Sequence, residues 1–224
     1  MKQKNFFNKL WPRFWMCIAG IKGFRKIGMR LAALSVAPYK GRIYLSDNNP
    51  CGFIESSAVI HHPDLRLGKY CFIGSEVVIF ERKGGGYIQL DDRVQIYRGT
   101  ALETGLGGTI NVGLNASIHP FCHLYAYLAP INIGQGVMLA PNCALYSYDH
   151  SLAPDKPIRL QPPTTKGGII IGDEAWLGFG TIVLNGVTIG KGAAIGAGSV
   201  VTSDIPDNAI AVGNPARVVK MRGV

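Results

Sequence analysis

From Ile171 onward an aliphatic side chain returns at every sixth position: Ile171, Leu177, Val183, Ile189, Ile195 and Val201. A glycine usually follows it, at Gly172, Gly178, Gly190 and Gly196, and the fifth slot of each repeat holds a small or β-branched residue, Ala175, Thr181, Val187, Ala193 or Ser199. Helices repeat at about 3.6 residues and simple strands at about 2, so a strict period of six requires short strands that turn at fixed intervals. Such a chain winds into stacked coils. Each coil buries an aliphatic ladder and pairs its backbone with the coils above and below.

The same register continues upstream in pieces: Ile54 and Ile60; Leu67, Ile73 and Ile79; Leu90, Ile96 and Leu102; Val112, Ile118 and Leu124; Ile133, Leu139 and Leu145. The phase jumps at ERKGGGYIQ, TGLGGT and YAYLAP, and each jump predicts a loop bulging from the coil. Cys71, Cys122 and Cys143 all fall in the fifth slot, which marks them as small apolar core residues. With five cysteines, no C-x-x-C pair and no secretory leader, neither a disulfide framework nor a zinc knuckle is expected, and the location expected is the reducing cytoplasm.

The run IGDEAWLGFGTIVLNGVTIGKGAAIGAGSVVTSDIPDNAIAVGNPARVVK, Ile171 to Lys220, with YSYDHS before it, resembles the hexapeptide-repeat acyltransferases of the maltose and galactoside acetyltransferase type. It is similar as well to their relatives that O-acetylate bacterial surface polysaccharides. The resemblance implies an all-β fold, a left-handed parallel β-helix of hexapeptide repeats, here over residues 47–224; residues 1–46 read as a short, partly helical extension before it. It further implies a homotrimer with acetyl-CoA as co-substrate in clefts between subunits, and no required metal.

After Leu145 the next aliphatic slot falls on Ser151, and the stretch 151–168 carries four prolines and no six-residue pattern. A loop of that length inside a compact repeat is usually functional. His150 is the last residue before it, and by resemblance it matches the catalytic histidine that precedes the extended loop. A hydroxyl attacking a thioester needs a group that removes its proton as the bond forms, which imidazole suits. Asp149 is adjacent, as an orienting carboxylate or as a partner for a loop amide.

On the cofactor side the resemblance puts an aromatic, here Trp176, beside the CoA chain. Gly178, Ala197 and Gly198 match positions where the backbone approaches pantetheine, although coil-corner geometry alone would also select glycine. Arg217 and Lys220 in VGNPARVVK match the basic positions that meet CoA phosphates. Ser203 stands where several relatives have lysine, which removes one such contact.

The acceptor segment departs from the family, reading SIHPFCHLYAYLAP from Ser117 to Pro130. His119 and His123 are candidate acceptor contacts or corner caps. Together with His150 they raise the alternative of a γ-type carbonic anhydrase with three histidine zinc ligands. A non-catalytic β-helix scaffold is the third reading. The expected reaction is acetyl transfer to a hydroxyl of a sugar or cell-surface polysaccharide precursor.

Charge is concentrated at one end. Residues before Asp47 include ten basic side chains and no acidic one, and the rest of the chain is near balance at 13 basic against 14 acidic. Phe6, Phe7, Leu10, Trp11, Phe14, Trp15 and Ile18 are interleaved at near-helical spacing, with Pro12 expected to start a new helix. The longest apolar run, Phe14 to Ile21, is too short to span a bilayer. No nucleic-acid motif accompanies the basic residues, so the extension is expected either to bind the inner face of the membrane peripherally or to pack across the trimer.

Overall fold

The computed structural model describes residues 2–223, with side chains from Leu10 onward. The repeats form a parallel β-solenoid of three faces: a nine-stranded sheet, a seven-stranded sheet and a six-stranded sheet, in which successive strands of one face come from successive coils. The first face runs from Phe53–Ile54 to Ala216–Met221, the second from Val59–His61 to Val200–Val201, and the third from Leu65–Leu67 to Thr188–Ile189. Inside a face the aliphatic slots stand in register, for example Ile118 beside Leu139 and Leu139 beside Leu177. These side chains, with Cys71, Cys122 and Cys143, form one continuous buried core. Burial pushes the Cys71 thiol up to about 11, consistent with its role as apolar filler.

The three corners differ. Between the first and second faces, and between the third and first, every complete turn of the six-residue pattern spans four residues. Except in the first turn, residues 55–58, the third residue of each such turn has a positive φ: Glu76, Gly99, Phe121, Asn142, Gly180 and Gly198 at one corner, and Tyr70, Arg93, Asn115, Gly136, Glu174 and Gly192 at the other. Glycine therefore has two separate uses in the repeat. At slot four it supplies a left-handed backbone. At slot two it permits close approach: a Cβ on Gly178 would lie 2.7 Å from the backbone nitrogen of Ala197 in the next coil.

The corner from the second to the third face takes all the irregularity. It spans three residues after His61, six after Glu81, five after Thr104, and twenty-two between Tyr146 and Ile169. The phase jumps seen in the sequence and the proline-rich loop thus all stack along one edge.

Helices α1 (Lys2–Ala19), α2 (Arg25–Ala33) and the short α3 (Ile43–Ser46) cover the first coil. α1 is continuous through Pro12, against the expectation of a new helix there. An interior proline costs about 3 kcal/mol, and packing offsets it: Trp11 Nε1 donates to the Leu31 carbonyl at 2.8 Å, and Met16 and Ala19 are buried with Met29, Ala32, Leu45, Phe53 and Phe72. α1 and α2 touch backbone to backbone at Gly28, where a Cβ would sit 2.6 Å from the Trp15 carbonyl oxygen. At the other end the antiparallel pair Ala209–Gly213 and Ala216–Met221 closes the first face.

Candidate active site

His150 lies on the variable edge, in a two-residue strand, Asp149–His150, that pairs antiparallel with Pro163–Thr164. That pairing joins the two ends of the long loop. Polar contacts fix the loop's base: the buried Ser147 hydroxyl donates to the Ala129 carbonyl (2.8 Å) and accepts from the Tyr127 amide (2.9 Å), while Thr165 Oγ1 donates to the Ser147 carbonyl (2.6 Å). Within the loop the buried Gln161 amide bridges Ala153 in both directions and donates to the Lys156 carbonyl. The His150 imidazole is exposed, with the Tyr148 ring 6.4 Å away. Asp149 Oδ1 accepts from the His150 backbone amide at 2.8 Å, so it fixes the main chain and does not orient the ring.

A chain of aromatic rings leads to His150. His123 lies 5.8 Å from Tyr125, Tyr125 lies 5.1 Å from Tyr146, Tyr127 lies 5.2 Å from Tyr148, and Tyr146 lies 6.4 Å from Tyr148. Burial raises the Tyr125 and Tyr146 phenols above their usual range, with Glu103 and neighbouring phenols reinforcing it, so both are neutral donors. Sequence reasoning missed this ladder. Its signal is a near duplication, LYAY at 124–127 and LYSY at 145–148, one coil apart.

His119 and His123 part company. His119 opens the corner after the first-face strand Ser117–Ile118, half-buried with its ring 4.9 Å from Tyr97; burial, then the Lys40 charge, holds its pKa below the usual histidine value. His123 is on the second face with Nδ1 3.4 Å from the Tyr125 hydroxyl. Among the described residues no three His, Cys, Asp or Glu side chains of one chain gather as a metal site.

The cofactor candidates share the first face. Strand register puts Trp176 beside Ala194, Ala194 beside Ile210, and Ile210 beside Lys220. Three steps at about 4.8 Å each separate Trp176 from Lys220 by roughly 14 Å. In the adjoining row the Gly178 amide donates to Ile195 and the Gly196 amide to Ala211, one residue short of Val212, which is paired with Arg217. Trp176 is 44% exposed, and Arg217 and Lys220 are exposed too. Ala197 and Gly198 form the exposed turn that follows, with Gly198 at φ +69 and open space around it. Gly178 faces the next coil, so its requirement is packing. Ser203 is exposed in the bend after the second face.

Residues 168–203 match the bacterial transferase hexapeptide family, covering six repeats. Over this stretch the chain carries the family's hexapeptide repeats. Among its relatives, one from Schizosaccharomyces pombe, provisionally named an acetyltransferase, is 56% identical over 52 residues, 23% of this chain and 25% of that protein. One from Saccharomyces cerevisiae, named in the same way, is 45% identical over 62 residues, 28% of this chain and 32% of that protein. The match thus spans about a quarter to a third of the length of these relatives. Among solved structures, a hexapeptide-repeat containing acetyltransferase of Vibrio cholerae superposes with a TM-score of 0.51 at 27% identity, covering 58% of this chain and 70% of that one. The polySia specific acetyltransferase NeuO superposes at 0.59 with 21% identity, covering 74% and 82%, a likeness of fold.

Proposed function

We propose that this protein transfers an acetyl group from acetyl-CoA to a hydroxyl of a sugar or cell-surface polysaccharide precursor, with His150 as general base. The observation that carries this reading is the exposed row on the first face that begins at Trp176 and ends at Lys220, with Arg217 beside it. An indole at one end, Lys220 about 14 Å away and Arg217 in the adjoining row suit a ligand with an apolar arm and a phosphorylated end. The strip between them is small at Ala194, Gly178 and Gly196 and apolar at Ile210 and Val212.

The co-substrate would supply an acyl thioester, which hydroxyls attack without a nucleophilic serine or cysteine on the protein. His150 would take the hydroxyl proton and return it to the departing sulfur. Its exposed ring keeps a nitrogen available for that exchange. The ladder of Tyr125, Tyr146 and Tyr148 offers rings and hydroxyls where an acceptor would reach His150. His150 stands on the edge between the second and third faces, whereas the Trp176 row is on the first. A site uniting them therefore draws the two parts from different copies, which supports a homotrimer with clefts between subunits.

The cap supports peripheral attachment at the inner face of a membrane. No helix among the described residues is long and apolar enough to cross one. Leu10, Phe14, Ile21, Phe24, Ile27 and Leu34 nevertheless stand exposed on the cap, interleaved with Arg13, Lys22, Arg25, Lys26 and Arg30. Apolar side chains among cations suit an anionic bilayer surface.

The test is turnover read as free thiol release from acetyl-CoA with a panel of glycan acceptors. His150→Ala is expected to lower the rate about 100-fold or more while leaving CoA binding and thermal stability unchanged, since the ring is exposed. Undiminished release by the variant overturns the assignment.

A further inference from the structure

A cavity of about 710 Å³ lies between α2 and the first coil, far from the Trp176 row. From Phe53 to Trp176 the first face advances five strands, about 24 Å. The volume is in the range of about 300 to 1,000 Å³ typical of small-molecule sites. One wall is a single flank of α2, with Arg25, Lys26 and Arg30 alternating with Met29, Ala33 and Leu34. The opposite wall is the start of the solenoid, where Ile54, Ala58 and Ile60 are apolar.

The charges around this cavity do not balance. Glu55 is the one carboxylate lining it, 6% exposed, and Arg42 Nη1 occupies both its oxygens at 2.9 and 2.8 Å. Arg25 Nη2 donates to the Cys51 carbonyl, which brings no negative charge. Among the described residues Arg25, Lys26 and Arg30 thus have no carboxylate partner. Arg42 contributes one more signal, since its Nε is buried without a hydrogen-bond acceptor. Leaving such a donor unmet is costly, and an oxygen-rich anion in the cavity would meet it.

An inorganic anion would satisfy the cations and leave the apolar wall unused. A nucleotide would want an exposed aromatic face, and the aromatic in the lining, Phe53, is only 1% exposed. Leu34 at the cavity's edge is 73% exposed, with Ile27 and Phe24 on and next to the same helix also open to solvent. Cations within and exposed aliphatics at the rim fit an amphiphile whose phosphate enters and whose chains leave along the cap. The geometry points to a site for the phosphate headgroup of one anionic phospholipid, held between α2 and the first coil. This rests on the membrane reading of the cap and adds a stoichiometric site to general surface attraction.

The experiment titrates the full chain with dihexanoyl phosphatidylglycerol as monomer, below its micelle concentration, by calorimetry. Saturable binding of one lipid per chain is expected, at least tenfold tighter than dihexanoyl phosphatidylcholine, inorganic phosphate or coenzyme A. Arg25→Gln with Arg30→Gln should weaken it tenfold or more. Ala33→Trp, which sets an indole into the cavity and keeps the cations, should do the same, with a cooperative melt showing that the variant is folded. Equal binding of the zwitterionic lipid or of inorganic phosphate overturns the proposal, as does displacement by coenzyme A at matched concentration. Sedimentation with phosphatidylglycerol vesicles separates the two readings. Vesicle binding without monomer binding removes the headgroup site and keeps the membrane surface, and monomer binding without vesicle binding does the reverse.

Discussion

Two corners of the solenoid are built to a gauge, and the third is not. At the regular corners four residues and one left-handed backbone recur coil after coil, while the edge between the second and third faces ranges from three residues to twenty-two. Stacked corners must superpose wherever slot-two and slot-four residues touch the coil below, so an extra residue there shifts every later side chain. At the variable edge the chain leaves the stack and returns, and length is free. That freedom is where the loop, His150 and the aromatic ladder all lie.

The strongest way to break this comparison is insertion. Two glycines after Gly180, at a regular corner, should abolish cooperative unfolding, because a lost register removes core side chains from the interior. The same insertion between Asp155 and Lys156, in exposed loop, should change stability by no more than about 0.5 kcal/mol. Comparable melting curves for the two variants would mean that the corners are interchangeable.

Single methyl groups sharpen the same contrast. Gly178→Ala sets a Cβ 2.7 Å from the backbone of Ala197 and should destabilise by about 1–3 kcal/mol. Gly107→Ala, at the variable edge with φ +72 and nothing within 4 Å, should cost only the left-handed strain of about 1 kcal/mol. Denaturant midpoints at matched slopes report both values, and a larger loss at position 107 would reverse the ranking.

The smallest expected effect is with pH. His119 follows a strand at a regular corner and His62 sits at the variable one, and both have pKa values below 6.5. For His119 the causes are burial and then Lys40; for His62 burial outweighs the opposing pull of Glu81, the Gly86 backbone hydrogen bond and Asp64. Below about 6.5 the unfolded chain binds protons that the folded rings refuse, so stability falls as pH drops from there to the folded values and levels beneath them. His119→Gln and His62→Gln should each flatten part of that slope in melts between pH 7 and 5. An unchanged slope in both would put the acid sensitivity elsewhere.

The aliphatic slots and the buried fifth-slot cysteines were legible because their period of six has no competitor among simple elements. The loop after His150 was legible as a loss of that period. That all the phase jumps share one edge was hidden, since a jump has no address until strands are assigned to faces. Slot four was hidden differently: Glu174, Phe121, Asn142 and Tyr70 share a backbone conformation and no side-chain chemistry. Pro12 misled because local preference was overridden by packing of α1 on α2. Asp149 allowed two readings, a partner for the imidazole or for an amide, and only the hydrogen bond from the His150 amide separates them.

The long loop also has a bearing on how the protein assembles itself. Leu139 meets Leu177 across thirty-eight residues, whereas Leu177 meets Ile195 across eighteen. Closing the longer span costs only about 0.7 kcal/mol more in chain entropy. A chain emerging vectorially during synthesis could stack coil upon coil with one modest pause, at the point where the loop must be spanned before winding resumes. An arm of twenty-odd residues is thus a small kinetic burden, and a solenoid can vary this edge widely while the rest of its winding proceeds unchanged.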